Sequence, residues 1–173
     1  MDIGAIIIII LIGGILVLTF YIIGLYNTLL DAKNKLENKF SKINTELKKE
    51  IKLIPSIIEV LKKHTKHEEK TINEVEELNS KSKELKSIND KISFINDLNK
   101  TLKKVYKLEE TYKELKSSRK YNSIKKELNE IEDKIVYAKE FYNNTVAYYN
   151  SLLEVTSTKI IANIFKFDKA NKM

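Results

Sequence analysis

The sequence predicts an all-α protein, in which an N-terminal transmembrane helix continues into an up-and-down antiparallel four-helix bundle. Three observations predict this fold class. The stretch from Ile3 to Leu30 contains no charged residue, the apolar residues beyond it recur at steps of three and four, and helix-breaking residues are scarce. All four glycines precede Leu25, and Pro55 is the single proline among 173 residues. Enzyme signatures that need glycine at special backbone angles, such as a phosphate-binding loop or a nucleophile elbow, therefore have no place beyond the N-terminal segment.

The first element is a membrane segment. Residues 3–25 are mostly Ile, Leu, Val and Gly, and a rise of about 1.5 Å per residue lets a helix of this length cross a hydrocarbon core of roughly 30 Å. A cleaved signal peptide needs a basic region before a shorter apolar stretch and a small-residue cleavage site after it, whereas this chain begins with Met1 and Asp2. We therefore expect an uncleaved anchor over residues 1–30, and neither a signal peptide nor a buried core helix.

The charges at the two ends of this segment predict its direction. No basic residue precedes it, and four lysines follow it closely: Lys33, Lys35, Lys39 and Lys42. Basic residues near a transmembrane helix are retained on the cytoplasmic side. The prediction is a single-pass protein of the cell membrane, the bacterial inner membrane, with its N-terminus outside and its C-terminal domain in the cytoplasm.

The remaining chain shows amphipathic helical periodicity, with Lys and Glu on the polar faces. We expect four helices, over about residues 26–64, 68–86, 89–116 and 121–154. The apolar stripe of the first consists of Leu36, Phe40, Ile43, Leu47, Ile51, Ile54, Ile58 and Leu61. The predicted bundle domain covers residues 31–156, and residues 157–173 form a C-terminal tail.

Three breaks separate the predicted helices, at Thr65–Glu68, Ser87–Asp90 and Ser117–Tyr121. The middle break is the least marked because the apolar stripe continues through it, so the sequence leaves open whether helices two and three are one continuous helix. We expect a turn there, because one uninterrupted helix would overhang the last helix of the bundle. Pro55 is expected to kink the first helix without ending it.

Two stretches of the chain resemble the signatures of the LemA family. The first consists of Tyr26, Asn27, Asn34, Glu37, Asn38, Phe40, Ser41, Leu47, Lys48, Leu53, Ile54, Pro55, Lys66, His67 and Glu68. The second consists of Glu132, Asp133, Lys134, Ile135, Ala138, Phe141, Tyr142, Asn143, Val146, Tyr149 and Asn150, followed by Ile161, Ala162, Phe165, Lys166 and Phe167. The order and spacing of these residues carry the resemblance.

The resemblance implies a single-pass membrane anchor with a cytoplasmic four-helix bundle, and it implies no activity. Two departures from the family pattern bear on the structure. Lys113 follows Tyr112 where the family has Pro, and Lys166 stands where the family has Gly.

The sequence offers no catalytic residue and implies no cofactor. His64 and His67 are three residues apart with Glu68 beside them, a pattern that can hold zinc on one helix face, but a helix end is expected there. We therefore interpret them as turn histidines and predict no metal site. The net charge is +7 with a single Arg, Arg119, and Lys alternates with Glu throughout, which disfavours nucleic acid as a partner.

The last predicted helix carries a second group of aromatic side chains beside its core stripe. Helical geometry places Tyr137, Phe141 and Tyr148 in one sector, about 110° from the core stripe. One interpretation is a helix with a wide buried face that packs against two neighbours. The other is a partner-binding aromatic strip, since aromatic side chains supply contact area at low entropic cost.

The tail contains a short amphipathic segment from Lys159 to Phe167. Its candidate membrane-contact residues are Ile160, Ile161, Ile164, Phe165, Phe167, Lys159 and Lys166. Apolar side chains flanked by lysines are typical of a helix that lies in the interface of an anionic membrane. The alternative is a segment that folds back and caps the bundle.

These observations favour a non-enzymatic adaptor or scaffold that presents a helical bundle at the membrane. Its expected partners are membrane lipid and a protein, either an unidentified one or a second copy of the chain. The alternative is a membrane-surface or membrane-shaping module that contacts anionic lipid through its tail.

Overall fold

The structure is a computed structural model that describes residues 2–173. Six helices and no strand occur in this range: α1 (Ile3–His64), α2 (Glu69–Lys81), α3 (Ile88–Thr111), α4 (Lys113–Ser117), α5 (Arg119–Glu154) and α6 (Thr156–Phe165). The all-α prediction is confirmed.

Helix α1 is one uninterrupted helix of 62 residues. Its first part is long and apolar enough to cross a membrane, and most of the side chains there are exposed. The helix continues through Pro55 and ends at His64, as the sequence predicts. At about 1.5 Å per residue it extends roughly 93 Å.

The chain divides into two compact units, which we describe separately. The central unit comprises residues 40–141 together with Met173, and the tail unit comprises residues 2–39 and 142–172. Each of the two long helices, α1 and α5, contributes residues to both units.

The central unit has an apolar core to which α1, α2, α3, α4 and α5 all contribute. Its buried members are Phe40, Ile43, Leu47, Ile54, Ile57, Val60, Leu61, Ile72, Val75, Leu78, Ile92, Phe94, Ile95, Leu98, Leu102, Val105, Leu115, Tyr121, Ile124, Leu128, Ile131 and Ile135. Burial of this apolar surface, at roughly 25 cal/mol per Å², is the main stabilising contribution in the unit.

Ion pairs connect the long helices of the central unit in succession. The pairs are Lys62–Glu76 between α1 and α2 at 2.5 Å, Lys104–Glu74 between α2 and α3 at 2.6 Å, Lys125–Glu109 between α3 and α5 at 2.6 Å, and Lys120–Glu59 between α5 and α1 at 2.7 Å. The three pairs other than the partly buried Lys125–Glu109 pair have an exposed lysine, and surface pairs of this kind contribute roughly 0–1 kcal/mol each. These ion pairs therefore identify which helices lie side by side and contribute little to stability.

The break between α2 and α3 answers the question that the sequence left open. Helix α2 ends at Lys81 and α3 begins at Ile88, so helices two and three are separate. Ser87 starts α3 with a capping box, in which its hydroxyl accepts from the Asp90 N–H and the Asp90 carboxylate accepts from the Ser87 N–H. This reciprocal pair satisfies two N–H groups that have no partner within the helix.

One break was not predicted. The sequence predicts continuous helix over residues 89–116, but the chain leaves the helical conformation at Tyr112. The Tyr112 hydroxyl donates to the Lys66 carbonyl oxygen and lies 3.2 Å from a Glu68 carboxylate oxygen. Tyr112 thereby fastens the loop that joins α1 to α2.

The buried face of α1 in the central unit differs from the predicted stripe at two positions. Glu50 and Ile57 are buried, with relative exposures of 1% and 1%, whereas Ile51 and Ile58 are only half-buried. Both sets follow steps of three and four from Leu47, so periodicity alone fits either one. The prediction took the apolar residue at 50 and 51, whereas residues 57 and 58 are both isoleucine, and it was wrong at both places.

In the tail unit, the segment of α1 that follows the apolar stretch packs with the end of α5, with α6 and with the residues after α6. Its buried side chains are Leu29, Ala32, Leu36, Tyr142, Val146, Tyr149, Leu153, Thr158, Ile161 and Ala162. The tail therefore belongs to a packed unit and contributes helix α6 to it.

Candidate functional site

The aromatic group predicted on the last helix is exposed. In the central unit Tyr137 is 68% and Phe141 is 42% exposed, and their rings meet edge to face with centroids 4.9 Å apart. Val136 beside them is also exposed. In the tail unit Tyr148 is 52% exposed. The interpretation as a wide buried face is therefore wrong for all three predicted residues.

A surface groove of about 490 Å³ lies beside the pair formed by Tyr137 and Phe141. Helices α1 and α5 form its two walls within the central unit. Its lining residues are Lys42, Thr45 and Glu46 from α1 and Asp133, Lys134, Tyr137 and Ala138 from α5. Charged side chains of both signs surround apolar surface from Tyr137 and Ala138, an arrangement suited to a ligand with one apolar face.

The residues after α6 run along α5 within the tail unit. The Tyr142 hydroxyl donates to the Asn171 carbonyl oxygen at 3.0 Å, and the Tyr149 hydroxyl donates to the Asp168 carbonyl oxygen at 3.0 Å. Burial raises the pKa of both tyrosine hydroxyls. The Asn150 side chain makes two further bonds to Ala170 at 2.9 Å each.

The candidate membrane-contact residues are split between two faces of the tail. Ile160, Ile164 and Phe165 are exposed at 59%, 65% and 50%, and Lys159 and Lys166 are exposed too. Ile161 is 4% exposed, so its assignment as a membrane contact is corrected, because its side chain is covered by the protein itself. Phe167 is half-buried, with its ring 5.7 Å from that of Tyr26.

A comparison with protein families matches residues 39–173 to the LemA family. The chain belongs to the LemA family. The matched range contains the second signature and most of the first, and it confirms the resemblance on which the sequence interpretation relied. No curated protein matches the chain.

The second signature of this LemA-family protein provides side chains for two structural tasks. In the central unit, Asp133, Lys134 and Ala138 line the groove. In the tail unit, Tyr149 and Asn150 bind the carbonyl groups of the residues after α6. The residues of the second signature therefore lie on one wall of the groove and on the surface of α5 that holds the residues after α6.

The two departures from the LemA pattern occur at points where helices end or begin. Lys166 terminates α6 in the left-handed conformation, with φ 56° and ψ 51°, which glycine adopts at far lower cost. Lys113 is the first residue of α4, and proline is favoured at the first position of a helix. The Gly and Pro that the resemblance implies at these positions fit the end of α6 and the break at Tyr112.

The central unit also contains a buried carboxyl that the sequence interpretation missed. Neither Glu50 oxygen has a hydrogen-bond partner among residues 2–173, and the same holds for the Tyr106 hydroxyl. Burial, together with the negative charge of Glu132, raises the pKa of Glu50 to about 7. Burial and the charges of Glu132, Glu50 and Glu109 raise the pKa of Tyr106. Glu50 therefore holds its proton well above the pH at which an exposed glutamate loses it.

The two histidines lie at the predicted helix end. His64 is the last residue of α1, and His67 follows in the loop with a positive φ of 69°. No group of three or more His, Asp or Glu side chains arranged to hold a metal ion occurs in the described part of the chain.

Proposed function

We propose that this LemA-family protein is a single-pass membrane protein that acts as a non-enzymatic adaptor and presents a helical domain in the cytoplasm. The apolar, exposed first part of α1 supports the anchor. The lysines that follow the apolar stretch support an outside N-terminus. The proposal assigns no catalytic residue and no cofactor.

We further propose that the four long helices of the central unit form an up-and-down antiparallel bundle. The support comes from the four ion pairs, which connect α1 to α2, α2 to α3, α3 to α5 and α5 back to α1. A closed cycle of neighbours is the pattern expected for four helices around one core. Short connections between consecutive helices favour antiparallel neighbours.

The exposed aromatic pair beside the groove carries the adaptor proposal. Tyr137 and Phe141 are four residues apart on α5 and expose large apolar surfaces at the edge of a groove between two helices. Exposed aromatic side chains next to a concave surface are typical anchors of protein interfaces. The occupant that we propose is an amphipathic helix of a partner protein, whose apolar face contacts the aromatic pair while its polar face meets the charged rim.

Site-specific photocrosslinking in the native membrane tests this proposal. A photoreactive amino acid replaces Tyr137 in the full-length protein, and a control chain carries it at Lys126, an exposed position on α5. We expect a discrete adduct from Tyr137 that is absent from Lys126 and is lost when Phe141→Glu is added. An adduct that persists in the Phe141→Glu variant would show that the partner does not bind at the groove. An adduct between two copies of this chain would show that the partner is not a different protein.

Orientation is tested separately with C-terminal fusions. We expect a fluorescent-protein fusion to be active and an exported-phosphatase fusion to be inactive. An active phosphatase would reverse the proposed orientation.

A further inference from the structure

We infer that α6 is a second membrane contact, in which the outward face of Ile160 and Ile164, together with the exposed part of the Phe165 ring, enters the headgroup region of an anionic bilayer. This inference rests on the proposed anchoring of the chain through α1. It adds a lipid-binding surface formed by the C-terminal tail.

Aromatic contacts fix the position of α6 against α1. The Phe165 ring lies 4.8 Å and the Phe167 ring 5.7 Å from the ring of Tyr26. Tyr26 directly follows the apolar stretch that ends at Leu25. The C-terminal end of α6 therefore lies at the level where the proposed transmembrane segment leaves the hydrocarbon core, which is the region that aromatic side chains prefer.

Helix α6 is apolar on two faces, and protein covers only one of them. Thr158, Ile161 and Ala162 form the inward face and are each 4% exposed. Ile160 and Ile164 lie one turn apart on the other side, with exposures of 59% and 65%. Ile160 and Ile164 therefore present apolar surface to water. Insertion into a membrane interface would remove that surface from water.

The charges around this face favour anionic lipid as the occupant. Lys159, Lys166 and Lys172 are exposed on the tail, and Lys33 lies 6.0 Å from the centre of the Phe167 ring. Lys169 is paired with Glu154, and Asp168 is the one acidic residue after α6. Lysines close to an anionic membrane surface are attracted to it. Binding to a protein partner would not require α6 to lie beside Tyr26, the residue at which the proposed transmembrane segment leaves the membrane.

Tryptophan quenching by lipid tests the inference, since the chain contains no native Trp. Three full-length variants are reconstituted into vesicles of phosphatidylcholine and phosphatidylglycerol: Ile164→Trp on α6, Leu18→Trp in the proposed transmembrane segment, and Val136→Trp on α5. Each vesicle preparation is made with and without lipid brominated near the headgroup end of its acyl chains. Melting curves by circular dichroism check that each variant folds as the parent chain does.

We expect brominated lipid to remove about half of the Ile164→Trp emission, because an interfacial helix inserts roughly 5–10 Å. Leu18→Trp should be quenched and Val136→Trp should not. Quenching of Leu18→Trp without quenching of Ile164→Trp would overturn the inference and leave the anchor standing. If neither is quenched, the anchoring proposal fails and the inference fails with it. Equal quenching of Val136→Trp and Ile164→Trp would also overturn it, since the signal would not depend on α6.

The role of charge has its own test. Lys159→Glu with Lys166→Glu, added to Ile164→Trp, should reduce the quenching in anionic vesicles. Lys126→Glu is the matched control on α5 and should leave the quenching unchanged. If the quenching persists in the variant with both lysines reversed, the proposal that these lysines direct α6 to anionic lipid is overturned.

Discussion

The side-chain amide of Asn150 and the backbone of Ala170 form a reciprocal pair of hydrogen bonds. The Asn150 Nδ2 donates to the Ala170 carbonyl oxygen, and the Ala170 N–H donates to the Asn150 Oδ1, both at 2.9 Å. Because the pair is half-buried, its loss leaves polar groups without partners. Together with Tyr142 and Tyr149 it holds the residues after α6 against α5.

The first prediction is that Asn150→Ala weakens the tail unit. Loss of two hydrogen bonds should lower the free energy of unfolding by about 1–2 kcal/mol and the melting temperature by a few degrees. Asn163→Ala is the matched control, because Asn163 is an exposed helical residue of α6 and gains the same helix propensity. Calorimetry of the full-length protein in lipid nanodiscs measures both. Equal melting temperatures for the two variants would show that the Asn150 pair contributes nothing.

The second prediction concerns the left-handed residue at the end of α6. Lys166→Gly should stabilise the protein by roughly 0.5–1 kcal/mol, because glycine removes the steric cost of φ 56° at that position. Lys166→Ala removes the same charge but keeps a Cβ, so it should give no gain. Asn163→Gly, inside α6, should cost roughly 0.3 kcal/mol, because Asn is already a poor helix former. Thermal melts compare the three variants, and a gain for Lys166→Ala equal to that of Lys166→Gly would assign the effect to charge.

The third prediction is a pH dependence that originates at Glu50. Burial raises its pKa from 4.5 to about 7, so the unfolded chain loses this proton at lower pH than the folded chain. The stability contributed by the protonated form is therefore complete below about pH 4.5 and is lost as the pH rises to about 7. The full loss is roughly 3 kcal/mol.

Glu50→Gln should remove this pH dependence, because glutamine stays neutral. Denaturant unfolding between pH 4 and pH 8 should show the variant and the parent chain alike at the acid end, with the variant more stable at the alkaline end. Glu132→Gln should shift the midpoint to lower pH by removing the second cause of the raised pKa. Glu127→Gln, at an exposed position on α5, is the control. Parallel curves for Glu50→Gln and the parent chain would refute a buried proton at Glu50.

The fourth prediction tests the start of α3. Ser87→Ala removes the hydroxyl that accepts from the Asp90 N–H at 3.0 Å and should cost about 1 kcal/mol. Ser93→Ala replaces an exposed serine within α3 and should be neutral or slightly stabilising. A loss of stability in Ser93→Ala as large as that in Ser87→Ala would argue against the capping box as the cause.

The sequence was sufficient where one physical signal dominated. The uncharged apolar stretch predicted the first part of α1, and the polar residues after His64 and before Tyr121 predicted two breaks that the structure confirms. Periodicity was insufficient where two registers fitted equally well. At Glu50 and Ile51 the choice depends on the neighbouring helices, which a single helix does not encode.

The candidate sites show the same division. The position of Tyr137 and Phe141 on one side of α5 follows from helical geometry, but their exposure depends on where α1 packs. The tail was predicted as an amphipathic segment, and its two faces could not be separated without knowing that Ile161 and Ala162 are buried while Ile160 and Ile164 are exposed. The break at Tyr112 depends on a hydrogen bond to the Lys66 carbonyl oxygen, a contact between residues far apart in sequence.

The way the tail is attached sets which changes it can tolerate. Tyr142, Tyr149 and Asn150 bind the peptide groups of residues 168, 170 and 171. Replacement of a residue there leaves these bonds in place, except for proline at position 170, which has no N–H to donate. Insertion of one residue between Phe167 and Asp168 would instead move all three carbonyl groups out of register. The length of this segment is therefore constrained more strictly than its composition.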